Sequence, residues 1–268
     1  MKFRPLMWVC GLLLLTGCSG LKFDDSYRSV SQDSRVQYIV LHYTASELPR
    51  SLAVLTQGQV SSHYLISEPA TAKQAATIYR LVDENQRAWH AGDSQWQGRT
   101  WLNASTIGIE MVHVGYIDTP EGRQWQPWSE PQIDALIVLL KDIMQRHNLN
   151  ADSLTSHRIV GHSDIAPQRK LDPGPLFPWA RLAAEGLIPW PEPQAVVAYK
   201  AKFSQQLPTV AWFQTQLAAV GYAVPQHGTL DKATRNVLAA FQMKYRPMRF
   251  DGQPDAETAA LLLVLNSH

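Results

Sequence analysis

Gly161-His162-Ser163-Asp164-Ile165-Ala166-Pro167-Gln168-Arg169-Lys170-Leu171-Asp172-Pro173-Gly174-Pro175 is the stretch on which the reading of this chain turns. The apolar pair Ile159-Val160 runs into it, which puts His162 at a strand end that opens into a loop. Pro173, Gly174 and Pro175 close that loop. Proline fixes its own φ and restricts the residue before it, so the segment is held in shape. Such a loop can set His162, Lys170 and Asp172 around one point. A histidine and an aspartate beside a lysine make two metal donors with a cationic neighbour, provided another part of the chain supplies further ligands.

The flanking sequence predicts an α/β fold in which a mixed central β-sheet is flanked by helices. Val36 to Thr44 reads as a strand whose continuous apolar centre is buried on both faces, with His42 where the run meets polar residues. A helix over 48–57 and strands over 60–66 and 77–82 follow. Residues 85–104 form a loop rich in Trp, His, Asn and Gly, a composition that goes with function more than packing. In Thr106 to Met111 the apolar residues alternate with Gly108 and Glu110, the pattern of a central strand. Ser129 opens a helix as its cap, with Gln132 as the capping-box partner and Ile133, Leu136, Ile137, Leu140 and Met144 as the buried stripe. A short helix over 178–185 ends this domain, set at residues 35–190.

Two further regions flank the domain. Pro189, Pro191 and Pro193 mark residues 191–207 as a linker to a small three-helix domain over 208–268, with helices at 210–220, 231–245 and 255–265. At the other end, Lys2 and Arg4 precede an apolar run from Leu6 to Leu15 that is too short to span a bilayer, so residues 1–17 read as a signal peptide. Leu15-Thr16-Gly17-Cys18 resembles the bacterial lipobox, which implies lipid modification of Cys18 and a membrane tether over 18–34. Ser19 after the cysteine resembles lipoproteins sorted to the outer membrane, and the expected location is there, facing the periplasm. Loss of Lys2 and Arg4 leaves 22 basic residues against 23 acidic ones, a balance that offers nucleic acid no basic footprint.

The chemistry centres on His42, His162 and Asp172, far apart in sequence and each at a strand end or in a rigid loop. Two histidines and a carboxylate leave the fourth position of a tetrahedral zinc site open, the pattern of catalytic zinc. Glu110, the sole acid on an apolar strand, is the expected proton acceptor. Lys170 lies two residues before Asp172, so in an extended loop both project to one side, and its ammonium can meet a developing oxyanion. Each residue also has a structural reading: a histidine bonded at a strand end, a Glu110 paired with a buried arginine, a Lys170–Asp172 surface pair worth little. Spacing alone reaches no further than a zinc hydrolase as one option.

The segments Leu41-His42-Tyr43-Thr44-Ala45, Ser61-Ser62-His63-Tyr64-Leu65, Trp89-His90-Ala91-Gly92, Leu102-Asn103 with Ile107-Gly108-Ile109-Glu110, and Gly161 to Gly174 occur in that order. Together they resemble the zinc-dependent N-acetylmuramoyl-L-alanine amidases, the family shared with peptidoglycan recognition proteins. The resemblance implies hydrolysis of the bond between N-acetylmuramic acid and L-alanine, in peptidoglycan or its fragments. It makes His42, His162 and Asp172 the zinc ligands, Glu110 the catalytic acid/base and Lys170 the stabiliser of the transition state. It places Tyr43 and Thr44 along the substrate cleft and adds Asn103 and His63 as further substrate-binding positions. Leu171 and Met111-Val112-His113 depart from the more polar family pattern. The C-terminal segments Thr234…Ala240-Phe241-Gln242 and Asp251-Gly252…Thr258 resemble a peptidoglycan-binding-like domain. The other reading is a lipoprotein that binds peptidoglycan on the same fold without cleaving it; the complete set of ligands, Glu110 and Lys170 favours the enzyme.

Overall fold

The computed structural model describes residues 21–149 and 157–267. The chain divides into two units, Met1–Asp33 and Ser34–His268. Residues 21–33 of the first are exposed and carry neither helix nor strand. The expected signal peptide and Cys18 lie outside the described residues. No helix among the described residues is long and apolar enough to cross a membrane.

The second unit is built on a five-stranded sheet in the order β3 (Ile78–Arg80), β2 (Tyr64–Ile66), β6 (Thr106–Met111), β1 (Tyr38–Tyr43) and β9 (Ile159–Gly161). β1 pairs parallel with β6 and β9, β2 pairs parallel with β6, and only β3 runs antiparallel. Two small hairpins, β4 (Gln95–Trp96) with β5 (Arg99–Thr100) and β7 (Tyr116–Thr119) with β8 (Gly122–Trp125), stand apart from it. The first lies inside the segment expected as pure loop.

Alternation along the strands decides which layer each residue meets. Ile39, Leu41, Ile107, Ile109 and Met111 face α2 (Glu130–Arg146) and α4 (Trp179–Ala184) in one core. The N-terminal end of α2 departs from the expected capping box. Ser129 is the N-cap but makes no side-chain cap bond, and Gln132 is drawn into the core instead. Its Nε2 donates to the carbonyls of Ile66 and Val112, at 3.2 and 2.9 Å, at the ends of β2 and β6.

Tyr38, Val40 and Val160, on the other sheet face, pack with Phe213, Leu217, Phe241 and Leu262. These come from α6 (Val210–Val220), α7 (Lys232–Tyr245) and α8 (Ala256–Leu265). The three helices are therefore the second covering layer of the sheet. Each buried aliphatic or aromatic side chain there contributes on the order of 1.5–3 kcal/mol. The segment 191–207, expected as a linker, is not free of secondary structure. It holds α5 (Pro193–Gln205), capped by the Glu192 carboxylate, which accepts from Gln194 N and Ala195 N at 3.0 and 2.6 Å. Pro193 sits at the first helical position, where a missing N–H costs nothing, so the proline marks a helix start and not a break.

The bundle is built on an internal repeat. Asp231 and Asp255 cap α7 and α8 by accepting from Thr234 N and Thr258 N. Buried Gln214 donates to Thr234 Oγ1 (2.9 Å) and accepts from Gly228 N (2.7 Å). One helix later, Gln242 donates to Thr258 Oγ1 (3.0 Å) and accepts from Gly252 N (2.9 Å).

Candidate active site

Parallel strands gather their carboxyl ends along one edge of the sheet, where ligands bind in open α/β folds. His42 and Glu110 are register partners at that edge, on β1 and β6. His162 begins the four-residue helix α3 (His162–Ile165) directly after β9. The loop then returns, and Ser163 N donates to the Asp172 carbonyl at 2.9 Å, which seats the Asp172 side chain beside His162.

Three donor atoms converge. His42 Nδ1 lies 2.9 Å from His162 Nδ1, and Asp172 Oδ2 lies 3.2 and 3.0 Å from the two nitrogens. All three side chains are buried. The outer nitrogens are held by the protein: His42 Nε2 by His90 Nδ1 at 3.0 Å, and His162 Nε2 by the Ala91 carbonyl at 3.2 Å. Burial, followed by the neighbouring His162, pushes the His42 pKa down to about 4, so its ring is neutral. Burial opposes ionisation of Asp172, but His162 and His42 outweigh it and hold the carboxyl far below its ordinary range. Basic atoms packed this closely require positive charge between them. Two imidazole nitrogens and one carboxylate oxygen, all buried, are a donor set that zinc takes in catalytic sites, so the residues fit the metal.

Asp172 opens on a cleft of about 480 Å³ lined also by Tyr43, Thr44, Arg50, Glu110 and Lys170, and His42 and His162 line an adjoining pocket that shares Tyr43, Glu110, Lys170 and Asp172 with it. Burial, then the Asp172 charge, raises Glu110 to about 8 against the opposing pull of Lys170. Its Oε2 is buried without a hydrogen-bond partner and is free to exchange a proton with a bound molecule. Half-buried Lys170 lines the same space, and Leu171 extends its wall. Tyr43 and Thr44 line the cleft as expected from the resemblance.

His63 and Asn103 do not line it. His63 is fully buried, with Nδ1 accepting from Gly108 N (3.0 Å) and Nε2 donating to the Gln86 carbonyl (3.2 Å). Asn103 Oδ1 accepts from His90 N and Ala91 N, at 3.0 and 2.7 Å. Both side chains are committed to backbone groups, which corrects their expected contact with substrate. Sequence reasoning assigned no role to Tyr116 or Arg50, which line the cleft, or to Trp89 and His90, which flank the metal donors. The Trp- and His-rich composition of 85–104 and the family-like segment Trp89-His90-Ala91-Gly92 signalled the last two without giving them a role.

Comparison with known proteins agrees with this arrangement. Residues 32–175 match the N-acetylmuramoyl-L-alanine amidase family, and residues 206–262 match a peptidoglycan-binding domain family. The chain is 40% identical to the N-acetylmuramoyl-L-alanine amidase AmiD of Escherichia coli over 270 residues, which is 96% of each protein. The solved structure of that enzyme, complexed with an anhydro-N-acetylmuramic acid peptide, superposes with a TM-score of 0.81 over 92% of this chain and 94% of that one. AmpDh3 of Pseudomonas aeruginosa, 38% identical, superposes with a TM-score of 0.83 over 92% and 98%. With its sheet edge, donor set and near full-length likeness in agreement, the chain belongs to the N-acetylmuramoyl-L-alanine amidase family.

Proposed function

We propose that this amidase uses zinc, held by His42, His162 and Asp172, to hydrolyse the amide between the lactyl carbonyl of N-acetylmuramic acid and L-alanine. The observation that carries the reading is the convergence of three buried donors in one cleft with Glu110 and Lys170. Zinc bound there supplies Lewis acidity toward the scissile carbonyl and the attacking water. Glu110 takes the proton of that water and hands it to the leaving amine; a carboxyl poised near neutral pH suits both transfers. The Lys170 ammonium stabilises the oxyanion that develops as the carbonyl is attacked. Tyr43 and Thr44 form the wall along which the stem peptide lies. The relatives' complexes with anhydromuramyl peptides support soluble muropeptides as substrates, and the C-terminal peptidoglycan-binding match supports polymeric peptidoglycan beside them.

Purified protein incubated with peptidoglycan and with anhydromuramyl peptides should release free stem peptides beginning at L-alanine, read by mass spectrometry. Chelation should stop the release and added zinc should restore it. Binding without release would leave only the non-catalytic reading.

The lipobox-like quartet ending at Cys18 supports anchoring of the enzyme in the outer membrane, facing the periplasm, where its substrate lies. Cells fed labelled palmitate should label the wild-type protein and not Cys18→Ser, and the variant should leave the membrane fraction. Equal labelling of both would remove the anchor from Cys18.

A further inference from the structure

His63, His90, Asn103 and Gly108 belong to the family-like pattern yet hold no zinc donor, and of the four only His90 lines the space at the donors. Their contacts converge on one ring. His90 lies between His42 and Thr106, with Nδ1 3.0 Å from His42 Nε2 and Nε2 3.0 Å from Thr106 Oγ1. The proton positions follow from the far end of this chain. Thr106 Oγ1 is 2.7 Å from the Leu102 carbonyl, which can only accept, so the single hydroxyl proton points there. Thr106 must then accept from His90 Nε2–H. That leaves His90 Nδ1 as an acceptor, and it takes the proton of His42 Nε2–H. His42 is thereby fixed as the tautomer whose Nδ1 carries a lone pair, the form that a metal requires.

The same end is reached separately at His162. The two protons of Arg169 Nη2 go to the carbonyls of Ala91 and Asp93, so the contact between His162 Nε2 and Ala91 is donated by the imidazole.

The surroundings are shaped around His90. A Cβ at Gly108 would stand 2.4 Å from His90 Cγ and 2.7 Å from its Nδ1, so only glycine on β6 admits the ring. Asn103 clamps the backbone of 90–91 from one side, and His63 holds Gly108 N from the other.

We infer that His90 is a positioning residue for the metal site: through Thr106 and the Leu102 carbonyl it sets the tautomer and the ring orientation of His42. Outer partners of this kind typically change metal affinity by about 10- to 100-fold. The inference rests on the zinc reading above only for its effect on affinity, because the tautomer is a property of the metal-free chain.

The test uses His90→Phe, which keeps a ring but offers neither acceptor nor donor, and His90→Gln, whose amide can accept from His42 and donate to Thr106. Histidine-selective nitrogen NMR of the metal-free protein, with His42 assigned by its loss in His42→Asn, should show wild-type His42 protonated at Nε2 alone. His90→Phe should show a mixture of tautomers. Zinc affinity, measured by chelator competition, should fall about 10- to 100-fold in His90→Phe and recover most of that loss in His90→Gln. If His90→Phe does not fold, Thr106→Val carries the test and should shift the same His42 signals. A folded His90→Phe with unchanged tautomer and unchanged affinity overturns the inference, as does a His90→Gln no better than His90→Phe. A wild-type protein that takes up no zinc but shows the expected tautomer removes the metal reading and leaves the positioning role intact.

Discussion

Glu110→Gln should lower kcat for stem-peptide release by about 10²- to 10⁴-fold, the share that a positioned general acid–base group supplies. The substitution keeps the shape of the side chain and removes only its capacity to take and return a proton. It should cost little stability, because burial already raises the native carboxyl to about 8, so its neutral form is well populated at neutral pH. Its Oε2 has no partner to lose. Glu110 is not one of the three converging donors, so the zinc content of the variant should match that of the wild type. The informative comparison is turnover against metal content in one preparation. Turnover within a factor of about ten of wild type, with zinc bound, would remove Glu110 from the chemistry. Loss of both together would mean that it holds metal instead of moving protons.

The second large effect is expected at a buried ion pair that does not line the cleft. Lys244 on α7 places Nζ 2.8 Å from Asp164 Oδ2 in α3, with the two side chains 4% and 1% exposed. The same carboxylate accepts from Gly161 N at 2.8 Å and from the Tyr222 hydroxyl at 2.6 Å, and the ammonium lies 4.1 Å above the Trp179 ring. Lys244→Met keeps the aliphatic stem and strands a buried carboxylate without its counter-charge. Breaking a buried pair from one side costs about 3–5 kcal/mol. At about 2–4 °C per kcal/mol for a domain of this size, the melting temperature should fall by roughly 6–20 °C.

The double variant Asp164→Asn with Lys244→Met removes both charges and should recover part of that loss, because the two sites are directly coupled. Asp164 lies two residues from His162 and fixes the backbone N of Gly161, so zinc should be released from Lys244→Met at a correspondingly lower temperature. Thermal unfolding followed by circular dichroism measures the first effect and a fluorescent zinc reporter the second. A melting temperature within about 2 °C of wild type would show that the pair contributes nothing net, as isosteric replacement of buried ions sometimes finds.

This buried pair marks the boundary between what was legible in the chain and what was not. Local signals carried the strands and helices: the apolar centre of β1, the alternation of β6 and the helical stripe of α2 are read from spacing alone. Gly161 to Pro175 located two of the three donors, because prolines restrict a backbone wherever they occur. His42 could be placed at a strand end and Glu110 within a central strand, but their adjacency is a matter of register between β1 and β6, which local spacing does not encode.

What the sequence by itself determined is therefore the main strands and helices and the candidate inventory of the site, in which the resemblance singled out His42, His162, Asp172, Glu110 and Lys170. Tertiary structure alone decided three things. The segment expected as a linker holds the helix Pro193–Gln205, which the sequence did not show because a proline at a helix start looks the same as one that breaks a chain. The C-terminal helices cover one face of the sheet and are locked to it by Lys244, a contact that spans 80 residues. His63 and Asn103 serve the scaffold around His90 and not the substrate. The physical reason is common to all three. Periodicity and turn chemistry act over a few residues, whereas burial and hydrogen-bond partnership are settled only when distant segments meet.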